Sequence, residues 1–210
     1  MARRRLLAAF LGAAVAWPLA ARGAPQTDAS AAALVAEVRR AFTLHGKPIP
    51  PEIFRDMGDG DVADSGSIWV TVDVEAATGS NLYADEIKLR DGWIVQTKSN
   101  TSINGTEETA YKFIGTTDNG LLVVVASYNG GGSGTYYTLH ILDIAAAGAF
   151  DLEGKLYRRI NLTAIRSVAL GDRWAGDVSI SKNAIHIVTT RNGPVDDGSR
   201  ATTSITAARP

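Results

Sequence analysis

From residue 67 to its end the chain repeats apolar side chains with a period of two, interrupted at short intervals by glycine, asparagine and aspartate. Successive side chains of a strand point to opposite faces, so this pattern commits most of the sequence to half-buried strands. Strands joined by short turns pair antiparallel, because a parallel neighbour needs a crossover of about a dozen residues or more and no helical segment of that kind intervenes. The expected fold is mainly β, with α+β as the alternative: an antiparallel, highly curved sheet, sandwich or barrel carrying one N-terminal amphipathic helix.

Ile68, Val70, Val72 and Val74 alternate with Trp69, Thr71, Asp73 and Glu75, the pattern of a strand with one buried face. Asp91-Gly92 separates two β-forming runs and marks a two-residue hairpin. Asp118-Asn119-Gly120 turns the chain into Leu121, Leu122, Val123, Val124, Val125 and Ala126, which are apolar without alternation. Both faces of such a strand need cover, which places it at the centre of the sheet, beneath the helix. Further strands are read at 135–142, 155–162, 165–170, 177–181, 184–190 and 200–207, with Lys182-Asn183 as a tight turn and 145–149 as a helical turn or loop.

Ahead of the strands, residues 30–45 read as a helix with Leu34, Val35, Val38 and Phe42 along one face. Asp28 or Ser30 can cap its start and Gly46 can end it. Lys47-Pro48-Ile49-Pro50-Pro51 cannot continue a helix, although Pro51 can open a short new one through Met57.

The first 24 residues have the organisation of an export signal: Arg3, Arg4 and Arg5, then an apolar stretch from residue 6 to 19, then small residues around Ala24. The stretch is shorter than the roughly 20 residues that a membrane span needs and contains Pro18. A lipid anchor at the cleavage site requires cysteine, and the chain has none. Cleavage of residues 1–24 is therefore expected to release 25–210 as a single β-rich domain into the periplasm or medium, by the Sec route or, given Arg4-Arg5, by twin-arginine export. Without cysteine the domain has no disulfides, thiol nucleophile or thiolate metal site, so packing and hydrogen bonds alone must hold it. Four of the 21 basic residues (Arg3, Arg4, Arg5, Arg22) leave with the leader while all 22 acidic ones stay, so the sequence gives no electrostatic reason to expect nucleic acid as a partner.

Several constellations are candidates for chemistry. Asn129-Gly130-Gly131-Gly132-Ser133-Gly134 lacks the Lys-Ser/Thr and the following helix of a phosphate loop, and Thr135 stands where a nucleophile elbow requires glycine. It reads as a wide hairpin loop whose exposed amides can approach a ligand. Asp56, Asp59, Asp61 and Asp64 suggest calcium, but Ala63 breaks the spacing of carboxylates. His45, His140 and His186 are isolated in sequence. Asp172-Arg173-Trp174 after Gly171 reads as a turn in which Asp172 accepts backbone N–H bonds and the Arg173 stem packs over Trp174. Trp69, Trp93, Trp174, Tyr111, Tyr128, Tyr136 and Tyr137 could stack on sugars, but fit core and cross-strand pairing better.

The segment 124–142 with its Tyr128-Asn129-Gly130-Gly131-Gly132-Ser133-Gly134-Thr135-Tyr136 core, then Leu170-Gly171-Asp172-Arg173, then Asn192-Gly193-Pro194 with Asp196-Asp197, resembles a group of uncharacterised exported bacterial proteins that pair a glycine-rich hairpin with a downstream Leu-Gly-Asp-Arg turn. Some of these are lipoproteins, from which this chain departs in having no cysteine. The resemblance implies an exported β-rich domain and supplies no catalytic residues. The functional expectation is a non-catalytic protein that binds an unidentified envelope ligand or protein partner through Asn129, Gly130, Gly131, Gly132, Ser133, Gly134, Asp172, Arg173 and Trp174, with no catalytic residue, metal or cofactor assigned. The competing class is a hydrolase assembled in three dimensions from His140, Asp172, Arg173 or Ser133. A third, a structural partner protein, predicts an unpaired sheet edge or exposed apolar patch instead of a pocket.

Overall fold

The computed structural model describes residues 28–57, 70–79, 86–100, 105–190 and 200–209. Strands dominate the described residues and the described helices are few, which decides for the mainly β alternative. The elements are α1 (Asp28–Ala41), β1 (Thr43–Leu44), β2 (Lys47–Pro48), α2 (Ile53–Asp56), β3 (Thr71–Asp73), α3 (Val74–Gly79), β4 (Ile87–Arg90), β5 (Trp93–Asn100), β6 (Gly105–Thr116), β7 (Leu122–Asn129), β8 (Tyr136–Phe150), β9 (Leu156–Asp172), β10 (Gly176–Ser181), β11 (Ala184–Thr190) and β12 (Arg200–Thr206). Seven of the strands form one strongly curled antiparallel sheet, a half-barrel in the order β3-β9-β8-β7-β6-β5-β4. A smaller sheet, β10-β11-β12, supplies a second layer.

β7 sits in the middle of the seven. Its apolar run is buried on both faces: Leu121, Leu122, Val123, Val124 and Val125 are no more than 2% exposed. Leu122, Val124 and Ala126 point into a core shared with Leu34, Val38 and Phe42 and with Ile53 and Phe54 of α2. Leu121, Val123 and Val125 point the other way, into a core closed by Val178, Ile185, Ile187 and Ile205 of the small sheet. Burying each such side chain contributes roughly 1.5–3 kcal/mol before conformational entropy is charged against it. The layers are also joined by hydrogen bonds. The Asn119 N–H in the β6–β7 turn donates to Asn183 Oδ1 in the β10–β11 turn at 2.9 Å, and Asn119 Nδ2 donates to the Ala207 carbonyl at 2.8 Å.

The expected turns at Asp91-Gly92, Asp118-Asn119-Gly120 and Lys182-Asn183 are present. In the first, Asp91 and Gly92 have φ of 52° and 79°, the positive pair that a two-residue hairpin with matching twist requires. The final strand is also there, as β12.

Three expectations are corrected. The helix ends at Ala41, not His45, because Phe42 takes φ 52° and drops its ring among Phe54, Tyr111 and Phe113, at centroid distances of 6.1, 5.2 and 5.4 Å. His45 and Gly46 then turn a short β1–β2 hairpin, whose Gly46 N–H donates to Glu37 at 2.7 Å. That bond holds the Glu37 carboxyl below its usual pKa. The strand read from Ile68 to Glu75 is described only as β3, and at Val74 the chain enters α3, because the Asp73 carboxylate accepts from the Glu75 and Ala76 N–H groups as an N-cap. Finally, 145–149 is neither helix nor loop: β8 runs through it to Phe150, paired with one continuous β9 in place of two strands. Bulges between Tyr137 and Thr138 and between Ile141 and Leu142 keep this long hairpin in register while bending it.

Removing a side chain from the doubly covered strand should cost far more than removing one from a loop tip. In urea denaturation Leu122→Ala is expected to lose about 2–5 kcal/mol, whereas Leu152→Ala, at a position 93% exposed, should stay within about 0.5 kcal/mol of the parent. Similar losses for the two would contradict the placement of β7.

Candidate functional site

The antiparallel pairing of β8 with β9 carries the β7–β8 loop to the β9 end, so the two segments singled out in the sequence lie against each other. Asn129 Oδ1 accepts from the Gly131 N–H at 2.7 Å, and its Nδ2 donates to Thr135 Oγ1 at 3.1 Å. Thr135 N–H donates to Asp172 Oδ1 at 2.8 Å, and Arg173 N–H donates to the Thr135 carbonyl at 2.7 Å. The Arg173 guanidinium reaches across the loop to the Ser133 carbonyl, at 3.2 Å from Nε and 2.9 Å from Nη2, and lies 3.7 Å from the Asp172 carboxylate. A Cβ at Gly134 would stand 3.3 Å from the Tyr136 ring and 3.4 Å from Asp172 Oδ1, so glycine allows this approach. Gly130 lies against the Tyr128 hydroxyl, and Gly132 has open space around it.

Trp174 takes a different direction. Its Nε1 donates to Thr189 Oγ1 at 3.2 Å, and its ring packs at 6.0 Å from Tyr137, which in turn meets Trp93 at 5.9 Å. This aromatic row borders the core beneath the small sheet, and the Arg173 stem is committed to Ser133 instead of to the indole. Loop and turn thus form a clasp in which Asn129, the Ser133 carbonyl, Thr135, Asp172 and Arg173 bond to one another. Such a clasp fixes the end of the hairpin. It brings together no nucleophile and base.

The histidines lie apart. His45, in the β1–β2 turn, has Nε2 3.4 Å from Glu75 Oε1, and His186 on β11 shares a 2.9 Å hydrogen bond with Ser204. His140 on β8 is buried, shares a 2.9 Å bond with Ser167 on β9, and packs 5.2 Å from the Phe54 ring. Removal from water penalises the imidazolium and pushes the His140 pKa down to about 4. No carboxylate among the described residues bonds its imidazole. Among the described residues no three His, Asp or Glu side chains converge on a point that could hold a metal. The leader (1–24), Asp59, Asp61, Asp64, Trp69 and the Asn192-Gly193-Pro194 and Asp196-Asp197 motifs lie outside the described residues.

A feature that the sequence reading missed lies on the outer half of β8. β7 ends its pairing at Leu122, opposite Leu142, while β8 continues to Phe150 with β9 on one side and no strand among the described residues on the other. Asp143 and two arginines close the ladder at this point. The Ile144 N–H donates to Asp143 Oδ1 at 2.9 Å, and the Ile144 carbonyl accepts from Arg39 at 3.2 Å. Arg209 and Arg39 stand 3.1 and 3.9 Å from the Asp143 carboxylate. Both backbone groups of Ile144 therefore point away from β9, and by the alternation of an antiparallel ladder those of Ala146, Gly148 and Phe150 do so too. Beside this edge a shallow groove of about 590 Å³ is lined by Ala32, Val35, Ala36, Arg39 and Arg40 of α1 and by Ala146. At the hairpin tip Phe150, Leu152 and Leu156 are 72, 93 and 57% exposed.

Comparison with protein-family models, curated proteins and solved structures finds no match to the chain.

Two measurements check the roles assigned here. Asp172→Ala leaves the Thr135 N–H without its acceptor and should lower stability by about 1–2 kcal/mol in chemical denaturation; an unchanged midpoint would mean that the clasp holds nothing. His140, with a folded pKa of about 4 against an ordinary 6.5, makes the unfolded chain bind a proton that the folded chain refuses between those values. Its contribution is intact above pH 6.5 and falls by about 3 kcal/mol in all as acid is added towards pH 4. The His140→Leu variant should lose that part of the pH profile. A profile with the parent's slope would place the titration elsewhere.

Proposed function

We propose that this chain is an exported protein of the cell envelope that acts by binding, without chemistry of its own, and that it binds by accepting an extended segment of backbone onto the free edge of β8. Three considerations support the reading. The signal-like first 24 residues argue for export. The Asn129, Asp172 and Arg173 side chains bond to the loop and turn themselves, and the histidines lie on separate elements, which favours binding over a hydrolase. The observation that carries the reading is the third: the backbone groups of Ala146, Gly148 and Phe150 face outward beside an apolar groove with arginines at one end. Strand addition draws its affinity from such main-chain groups, and a neighbouring groove selects side chains.

Residues 145–150 carry no charge and no proline, the usual protections of an exposed edge. No described helix is long and apolar enough to cross a membrane. Expression of the full chain in a Gram-negative host is expected to give a periplasmic product that begins at Pro25 by mass spectrometry; a cytoplasmic product retaining Met1 would contradict export. In amide NMR, a short alternating Val-Thr peptide should shift the Ala146, Gly148 and Phe150 resonances and leave those of β7 in place. Shifts confined to the 129–134 loop would move the binding surface to the clasp.

A further inference from the structure

We infer that the partner of this edge is the same edge of a second copy, so that the chain forms a two-fold dimer through antiparallel β8 strands. The inference rests on the strand-addition reading above. In that reading an added strand must bond to the outward N–H and C=O groups of Ala146, Gly148 and Phe150, so a second β8 has to place even-numbered residues opposite even-numbered residues. A two-fold axis at Gly148 meets this requirement and sets Phe150 of each copy opposite Ala146 of the other.

That register joins the two features the single chain leaves open. Phe150, 72% exposed, lies on the helix side of the hairpin, because Ala146, Gly148 and Phe150 share a face and Ala146 borders the groove. Opposite Ala146 of the second copy, its ring enters the groove formed by Ala32, Val35 and Ala36, whose small side chains leave room for it. The acidic turn of Asp151 and Glu153, just beyond Phe150, is carried towards the Arg39 and Arg40 end of the same groove. Each contact occurs twice by symmetry, as a self-complementary interface requires. An extended peptide without an aromatic side chain and acidic groups at these positions could take the backbone bonds but would leave the groove and the arginines unmatched.

Sedimentation velocity of the purified chain over a range of concentrations tests the dimer. A monomer–dimer equilibrium is expected, and Phe150→Lys and Ala146→Lys, which place a cation in or beside a groove already holding two arginines, should each weaken it at least about tenfold. Both positions are exposed, so the melting temperature of the dilute protein should stay at the parent value. A dimer insensitive to both substitutions overturns the inference. A chain that stays monomeric while the Val-Thr peptide shifts the Ala146, Gly148 and Phe150 amides overturns self-pairing alone; a monomer with no such response overturns the strand-addition reading as well.

Discussion

The structure depends on one strand being covered on both faces. With β7 in the middle of the curled sheet, Leu122, Val124 and Ala126 require the helical layer, and Leu121, Val123 and Val125 require the small sheet. Neither layer is optional, because an uncovered face of that strand would leave a row of branched aliphatic side chains in water. In a chain without cysteine these two cores and the hydrogen bonds that join the layers do the work that disulfides do in many exported domains. The Asn119, Asn183 and Ala207 contacts tie the layers at one end, and the clasp of Asn129, Thr135, Asp172 and Arg173 fixes the β7–β8 loop to the end of β9.

The same packing explains where the molecule is left open. β8 and β9 are longer than the strand beside them, so beyond Leu142 the hairpin extends past the end of β7. Arg39, Asp143 and Arg209 close the ladder there by satisfying Ile144, and the next outward-facing groups have no described partner strand. Elsewhere His140 meets Ser167 beneath Phe54, and Arg173 meets the Ser133 carbonyl. Among the described residues, the side chains of the clasp and of His140 are bonded to neighbours, while the outward backbone groups of β8 beyond Ile144 have no described partner strand. This contrast underlies the proposal of an interaction protein over an enzyme.

Much of this was legible in the sequence where the signal was local. The unbroken apolar run at 121–126 announced a doubly buried central strand, and Asp91-Gly92 and Lys182-Asn183 announced their turns, since each rests on residues adjacent in the chain. Local signals in conflict were resolved by atoms further away or by a weaker cue. Val70, Val72 and Val74 suggested a continuing strand, yet Asp73 two residues before Glu75 is a helix cap, and the cap won. Phe42 continued the helical period, but its ring is held by Phe54, Tyr111 and Phe113 from other elements. The alanines at 145–149 have little preference for strand, and only β9, read from distant residues, makes them one. For the same reason the segments around Asn129 and Asp172 could be singled out but not seen to meet, and the free edge, which exists only in the register of three strands, gave no sequence signal.

Native-state hydrogen exchange in dilute protein tests the central claim, that order radiates from β7 and stops short of the outer β8 edge. The Val123, Val124 and Val125 amides are expected to exchange only through global unfolding, while those of Ala146, Gly148 and Phe150, which face no described acceptor, exchange with little protection. Protection of Ala146, Gly148 and Phe150 equal to that of β7 at concentrations too low for association would contradict it, since their amides would then be bonded within the single chain.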